Sequence, residues 1–190
     1  MYSNLFNLIS NYVYLEKQDM SMLQSLFQHS KVAKGSSIIE IGKHTDYVHF
    51  INSGYLRYFK TLSSGEELTI HLYPPNEFAT SINSFFTGCK SEEALQTITD
   101  CELLSITKNN LDKLYASNHK WSDFGRKLME NFLIEKELRI IEQLSLTAKE
   151  KYNKLINSAP EIIQNVPVKY IASFIGIQPE SLSRIKRQIY

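Results

Sequence analysis

The spacing of apolar residues changes twice along this chain, and each change marks a change of secondary structure. Leu5, Leu8, Ile9, Tyr12 and Val13 recur at helical intervals, and a second helical stretch opening at Asp19 holds Met22, Leu23, Leu26 and Phe27. From Val32 the period becomes two. Segments 37–41, 47–51, 55–61 and 67–73 are short, β-branched or aromatic, and bounded by polar or glycine-containing turns. Strict alternation in the fourth predicts Leu68, Ile70 and Leu72 on one face and Glu67, Thr69, His71 and Tyr73 on the other. Gly42, Gly54 and Gly65 stand where the chain must reverse, and Pro74-Pro75 stops the fourth strand. Two more strands, 94–99 and 102–107, follow an irregular stretch. Many short strands at close spacing predict an antiparallel barrel or jelly roll.

After 110 the pattern is helical again. A short helix over 110–116 leads to a long one over 118–145, which has no proline and only Gly125 near its start. Its apolar positions, among them Trp121, Phe124, Leu128, Phe132, Leu138 and Ile141, spread over more than one stripe. A helix apolar on two sides must cover its own domain and something else. A second copy of the chain is the simplest partner, and full burial within one chain is the alternative. Thr147-Ala148-Lys149-Glu150 is a capping box that opens the next helix, which ends before Pro160. A further short helix runs from Pro167 to Phe174, Gly176 makes a turn, and Pro179 opens a last helix over 179–189.

Charge sharpens the division. The chain's formal net charge of +1 argues against a nucleic-acid partner only until it is split. Residues 1–146 carry 14 basic and 17 acidic side chains, whereas 147–190 carry 7 basic and 3 acidic. No apolar run approaches the roughly 20 residues of a membrane-spanning helix, and the first residues carry no basic leader, so a cytoplasmic protein without membrane contact is expected. Cys89 and Cys101 cannot by themselves build a zinc or iron–sulfur site and are expected to be isolated thiols. No cofactor, metal or catalytic residue is predicted. No His-x-His pair, Gly-rich phosphate loop or nucleophile elbow occurs, so an enzyme is not expected.

The most informative segment is 166–190, VPVKYIASFIGIQPESLSRIKRQIY. Ile171, Ala172 and Ile175 share one face of its first helix, Ala172 is small where a second helix must cross, and Leu182 and Ile185 pack back. This is a helix-turn-helix. Its second helix carries Pro179, Glu180, Ser181, Ser183, Arg184, Lys186 and Arg187, and Lys169 lies on the first. Hydroxyls and basic groups on an exposed helix suit phosphate oxygens and guanine edges, which makes double-stranded DNA the expected partner.

With these residues in place, the chain resembles the Crp/Fnr family of transcription regulators over nearly its whole length. IGKHTDYVHFINSGYLRYFK resembles the family's cyclic-nucleotide-binding barrel. The helix after Asn118 resembles its dimerisation helix, and LTAKEKYNKLI with IASFIGIQPESLSRIKR resembles its DNA-binding domain. The resemblance implies an α+β fold: an N-terminal jelly roll with flanking helices over 1–117, a dimerisation helix over 118–145, and a helix-turn-helix domain over 146–190. It also implies a homodimer, RNA polymerase as a further partner, and a small-molecule effector pocket.

Three departures qualify it. Thr80 and Ser81 stand where the family's ribose-binding Gly-Glu pair would be, with Ile82 and Asn83 beside them. Ser91 and Glu92 stand near its phosphate-binding Arg-Ser pair, and no arginine occurs between Arg57 and Arg126. A carboxylate facing a phosphodiester without a cation is electrostatically wrong, so the effector is expected not to be cyclic AMP. Pro179 replaces an arginine that begins the recognition helix in well-known members, so a different half-site is expected. The sequence stops at Tyr190, before the β-wing that would follow, so the helix-turn-helix is expected to lack a complete wing. The rival reading is a small-ligand-binding barrel whose helix-turn-helix contacts protein rather than DNA.

Overall fold

The computed structural model describes residues 1–189; the last residue of the expected 146–190 domain lies outside the described residues. Helices α1 (Ser3–Ser10) and α2 (Lys17–Leu26) precede a two-sheet β-roll. One sheet places β1 (Phe27–Val32), β8 (Cys101–Thr107), β3 (Tyr47–Ser53) and β6 (Phe78–Ala79) in that spatial order. The other places β2 (Ser37–Ile39), β7 (Glu93–Thr97), β4 (Leu56–Thr61) and β5 (Glu67–Tyr73) side by side. Every pairing is antiparallel, so the jelly roll expected from the period-two segments is present. Two strands escaped the pattern. β1 begins at Phe27, which had been grouped with the preceding helix, and β6 has only two residues, too few to show alternation.

The faces of β5 differ from strict alternation. Thr69, Leu72 and Tyr73 are buried, whereas Leu68 and Ile70 are exposed. A register shift between Tyr58 and Phe59 in the β4–β5 pairing sets Thr69 opposite Phe59 and His71 opposite Tyr58, so the period-two count slips there.

The helical part follows the predicted punctuation closely. After α3 (Ile82–Thr87) and the last strand come α4 (Lys108–Ser117) and α5 (His119–Ser145). Asn118 caps α5 by accepting the Lys120 N–H at 3.0 Å. The Thr147–Glu150 capping box opens α6 (Ala148–Ser158), and α7 (Pro160–Asn165), α8 (Val168–Ile175) and α9 (Pro179–Ile189) complete the chain. α3 and α7 are not predicted, because six residues show no period.

α5 divides along its length. Trp121 and Phe124, expected on a dimer face, are 0% and 6% exposed and lie in one apolar cluster with Leu5, Ile9, Leu23 and Phe27. They hold the helix to its own barrel and are unavailable to a partner. Gly125 lies in the same stretch, where an added Cβ would come within 2.5 Å of the Tyr115 hydroxyl; only glycine lets the helix approach so closely. Among the described residues no helix is long and apolar enough to cross a membrane.

Candidate nucleic-acid interface and effector cavity

The helix-turn-helix is built as its spacing required. Ile171, Ala172, Ile175 and Leu182 are buried in one cluster, with Ile185 and Ile189 against it. Gly176 takes φ +81°, a left-handed conformation unfavourable for a side chain, and the Ile177 N–H closes the turn on the Ala172 carbonyl at 3.0 Å. Packing Leu182 inward leaves Glu180, Ser181, Ser183, Arg184 and Arg187 exposed, with Pro179 and Lys186 half-buried at the margins. Lys169 is exposed at the start of α8, its ammonium 4.9 Å from the Tyr170 ring. Ser183 Oγ donates to the Pro179 carbonyl at 3.0 Å, which leaves its oxygen free to accept. None of the described ion pairs involves Lys169, Arg184, Lys186 or Arg187. Four positive side chains with no ion-pair partner among the described residues, on one small unit, favour a polyanion.

The other side of α8 is fastened to the barrel. The Thr69 N–H donates to Ser173 Oγ at 2.9 Å, and that hydroxyl donates to the Glu67 carbonyl, also at 2.9 Å. Arg57, 4% exposed, pairs with Glu67 at 2.6 Å and lies 4.0 Å from the centres of both the Phe59 and Tyr170 rings. From α5, Arg139 and Gln143 both donate to the Phe174 carbonyl, and the Arg139 guanidinium stacks 3.5 Å from the Phe174 ring. Glu67 is thus the partner of a buried arginine.

A cavity of about 610 Å³ lies where barrel, α5 and α8 meet. Of the expected pocket residues, Thr80, Ile82 and Asn83 line it. Ser81 and Ser91 do not. They are buried behind the wall, with their hydroxyls 2.9 Å apart, and Ser81 Oγ lies 3.2 Å from the Tyr58 hydroxyl. Glu92 points outward to Lys60 at 2.6 Å, and Lys60 and the carboxylate stabilise each other's charged forms. Its neighbour Glu93, the first residue of β7, lines the cavity and accepts the Tyr58 hydroxyl at 2.9 Å. Burial pushes that phenol up to about 12.

The cavity's cations come from a distant segment. Lys136 and Arg139 of α5 line it. Burial lowers both, Arg139 to about 10. Lys136 donates to the Nδ1 of His71 at 3.2 Å, and burial holds that imidazole below its ordinary range and hence neutral. A one-turn spacing of basic residues on α5 was the available signal.

Beyond the barrel-facing stretch, α5 presents Leu133, Ile134, Leu138, Ile140, Ile141 and Leu144, each at least half exposed. Of the residues expected to face a partner, Leu138 and Ile141 belong to this surface, while Leu128 and Phe132 are half-buried toward the chain's own cavities. Among the described residues no group of three His, Cys, Asp or Glu could hold a metal ion; Cys89 is exposed, Cys101 is buried, and both are free.

Residues 29–118 match the family model for the cyclic nucleotide-binding domain. Curated proteins provide no sequence match. Among solved structures, FixK2 from Bradyrhizobium japonicum is 17% identical, covering 86% of this chain and 84% of its own, with a TM-score of 0.72. The catabolite activator protein of Thermus thermophilus is 20% identical, covering 94% and 85%, with a TM-score of 0.59. A structure described as a Crp/Fnr-family transcriptional regulator, from Eubacterium rectale, is 17% identical, covering 94% and 87%, with a TM-score of 0.68. Residues 29–118 thus match the cyclic nucleotide-binding domain, and over most of its length the chain shares its fold with these three solved structures.

Proposed function

We propose that the chain is a homodimeric, sequence-specific DNA-binding transcription regulator of Crp/Fnr type, acting by binding rather than catalysis, whose effector is not cyclic AMP. One observation carries the reading. α9 stands on a packed helix-turn-helix with Glu180, Arg184 and Arg187 facing solvent, and no described ion pair neutralises its basic side chains. In this reading residues 1–117 sense, 118–145 pair two copies, and 146–190 read DNA, with RNA polymerase as a further partner. Pairing through the outer face of α5 would set two α9 helices about one DNA turn apart. The exclusion of cyclic AMP is supported by segment 80–92, which offers no arginine and whose Ser81 and Ser91 hydroxyls bond to each other.

The test is duplex binding by fluorescence polarisation, using fragments selected from random DNA at several salt concentrations. Wild type should bind the selected duplex with affinity that falls steeply as salt rises. Lys169→Ala and Lys186→Ala should weaken binding to every sequence alike, each reducing the salt slope by about one. Absence of salt-sensitive duplex binding would sink this reading and leave the rival, a helix-turn-helix that contacts protein. Cyclic AMP should leave the affinity unchanged; a cyclic-AMP-dependent rise would overturn that part.

A further inference from the structure

We infer that the cavity between β5, α5 and α8 binds an organic anion, its carboxylate or phosphate held by Lys136 and Arg139 and its apolar body laid against Leu68, Ile70 and Phe132. The inference rests on the reading of this cavity as the effector site and adds the ligand's chemical class and the residues that hold it.

Lys136 and Arg139 are three residues apart on α5, so they project side by side into the same space. Both are half-buried, and neither has a carboxylate within ion-pair distance among the described residues. Lys136 donates to a neutral imidazole nitrogen, which satisfies a hydrogen bond and not a charge. The carboxylates of Glu77 and Glu135 act on Lys136 from the side of an adjoining smaller cavity. Arg139 gives an N–H to the Phe174 carbonyl, and a guanidinium has five. Glu142, the carboxylate that acts on Arg139, is paired with Lys154. Half-buried cations with no carboxylate at ion-pair distance carry a desolvation cost that a bound anion would offset. The one carboxylate lining the cavity, Glu93, lies across from them and accepts the Tyr58 hydroxyl.

The rest of the wall fits an apolar body. Leu68 and Ile70 are 41% and 37% exposed, and their exposed faces line this cavity. Thr69, between them, is buried, its Oγ1 out of reach of the cavity. Ser173, Phe174 and Gly176 of α8 form part of the same wall. The occupant would therefore touch the helix that supports α9, and Arg139 would touch both.

The test uses the full chain and 8-anilino-1-naphthalenesulfonate fluorescence, with octanoate, octyl phosphate and octanol as competitors. At least one of the two anions should displace the dye at least tenfold more effectively than octanol, and the stronger anion identifies the headgroup. Arg139→Gln and Lys136→Gln should each weaken that anion about tenfold or more, the loss of one charge-assisted hydrogen bond. Leu68→Trp fills the cavity from an exposed wall position while sparing both cations, and should abolish displacement; thermal melts confirm that each variant is folded. Octanol competing as well as the anions, no displacement at all, or a folded Leu68→Trp that binds like wild type would each overturn the inference. If Arg139→Gln fails to fold, the octanol comparison and Leu68→Trp still decide. Duplex binding measured on the same preparations separates the two claims: DNA binding without anion binding refutes this inference alone, and the converse refutes the regulator reading alone.

Discussion

Replacing Leu138 and Ile141 together by alanine should break a dimer without unfolding a monomer. In the single chain these side chains are 52% and 53% exposed, so half of each is available to be covered by a second copy. Fully burying such a side chain is worth about 1.5–3 kcal/mol, and half of that is about 0.8–1.5 kcal/mol. A two-fold interface uses the same patch twice, so each dimer loses four side chains, about 3–6 kcal/mol in all. Alanine keeps its Cβ and recovers roughly a third, leaving a loss of about 2–4 kcal/mol, or roughly 30- to 1,000-fold in dimer Kd. Sedimentation velocity across a concentration series reads the Kd directly, and far-ultraviolet circular dichroism checks that α5 stays helical. A wild-type chain that is monomeric at tens of micromolar, or a double variant that dimerises as tightly as wild type, would refute the argument that this face is covered by a second copy.

Three other outcomes are expected. Trp121→Ala should instead lower the melting temperature, losing about 3–5 kcal/mol of stability as a core truncation, because the indole is fully buried among α1, α2 and the barrel. Arg184→Ala should cost about 1–3 kcal/mol of specific duplex binding and relax preference at one base pair, read by polarisation against single-position operator variants; undiminished discrimination would remove Arg184 from base readout. Burial lowers His49 to about 4, and its Nδ1 lies 2.8 Å from the Ser105 hydroxyl, so the folded protein resists protonating it while the unfolded chain takes a proton below about 6.5. Stability should therefore fall as pH drops from about 6.5 to about 4, and His49→Gln, measured by urea titration across that range, should flatten the slope.

What the sequence determined by itself is whatever depends on neighbours a few residues apart. Ile171, Ala172, Gly176 and Leu182 specify a helix-turn-helix because turn, crossing and packing face all lie within one short segment. The capping box at Thr147 and the strands of the roll were legible for the same reason: a helix start or a period of two needs only a few residues to show itself. Sidedness was not local. Whether Trp121 or Leu138 meets a partner depends on α1 and α2 covering one half of α5, a contact across some hundred residues. Whether Leu68 or Thr69 points inward depends on a register shift against β4. Glu92 and Glu93 are indistinguishable as letters, and the strand's start decides which enters the cavity. Lys136 and Arg139 lie far along the chain from the barrel segment that lacks an arginine. Only the tertiary fold, by laying α5 across the mouth of the roll, brings their charges to that place.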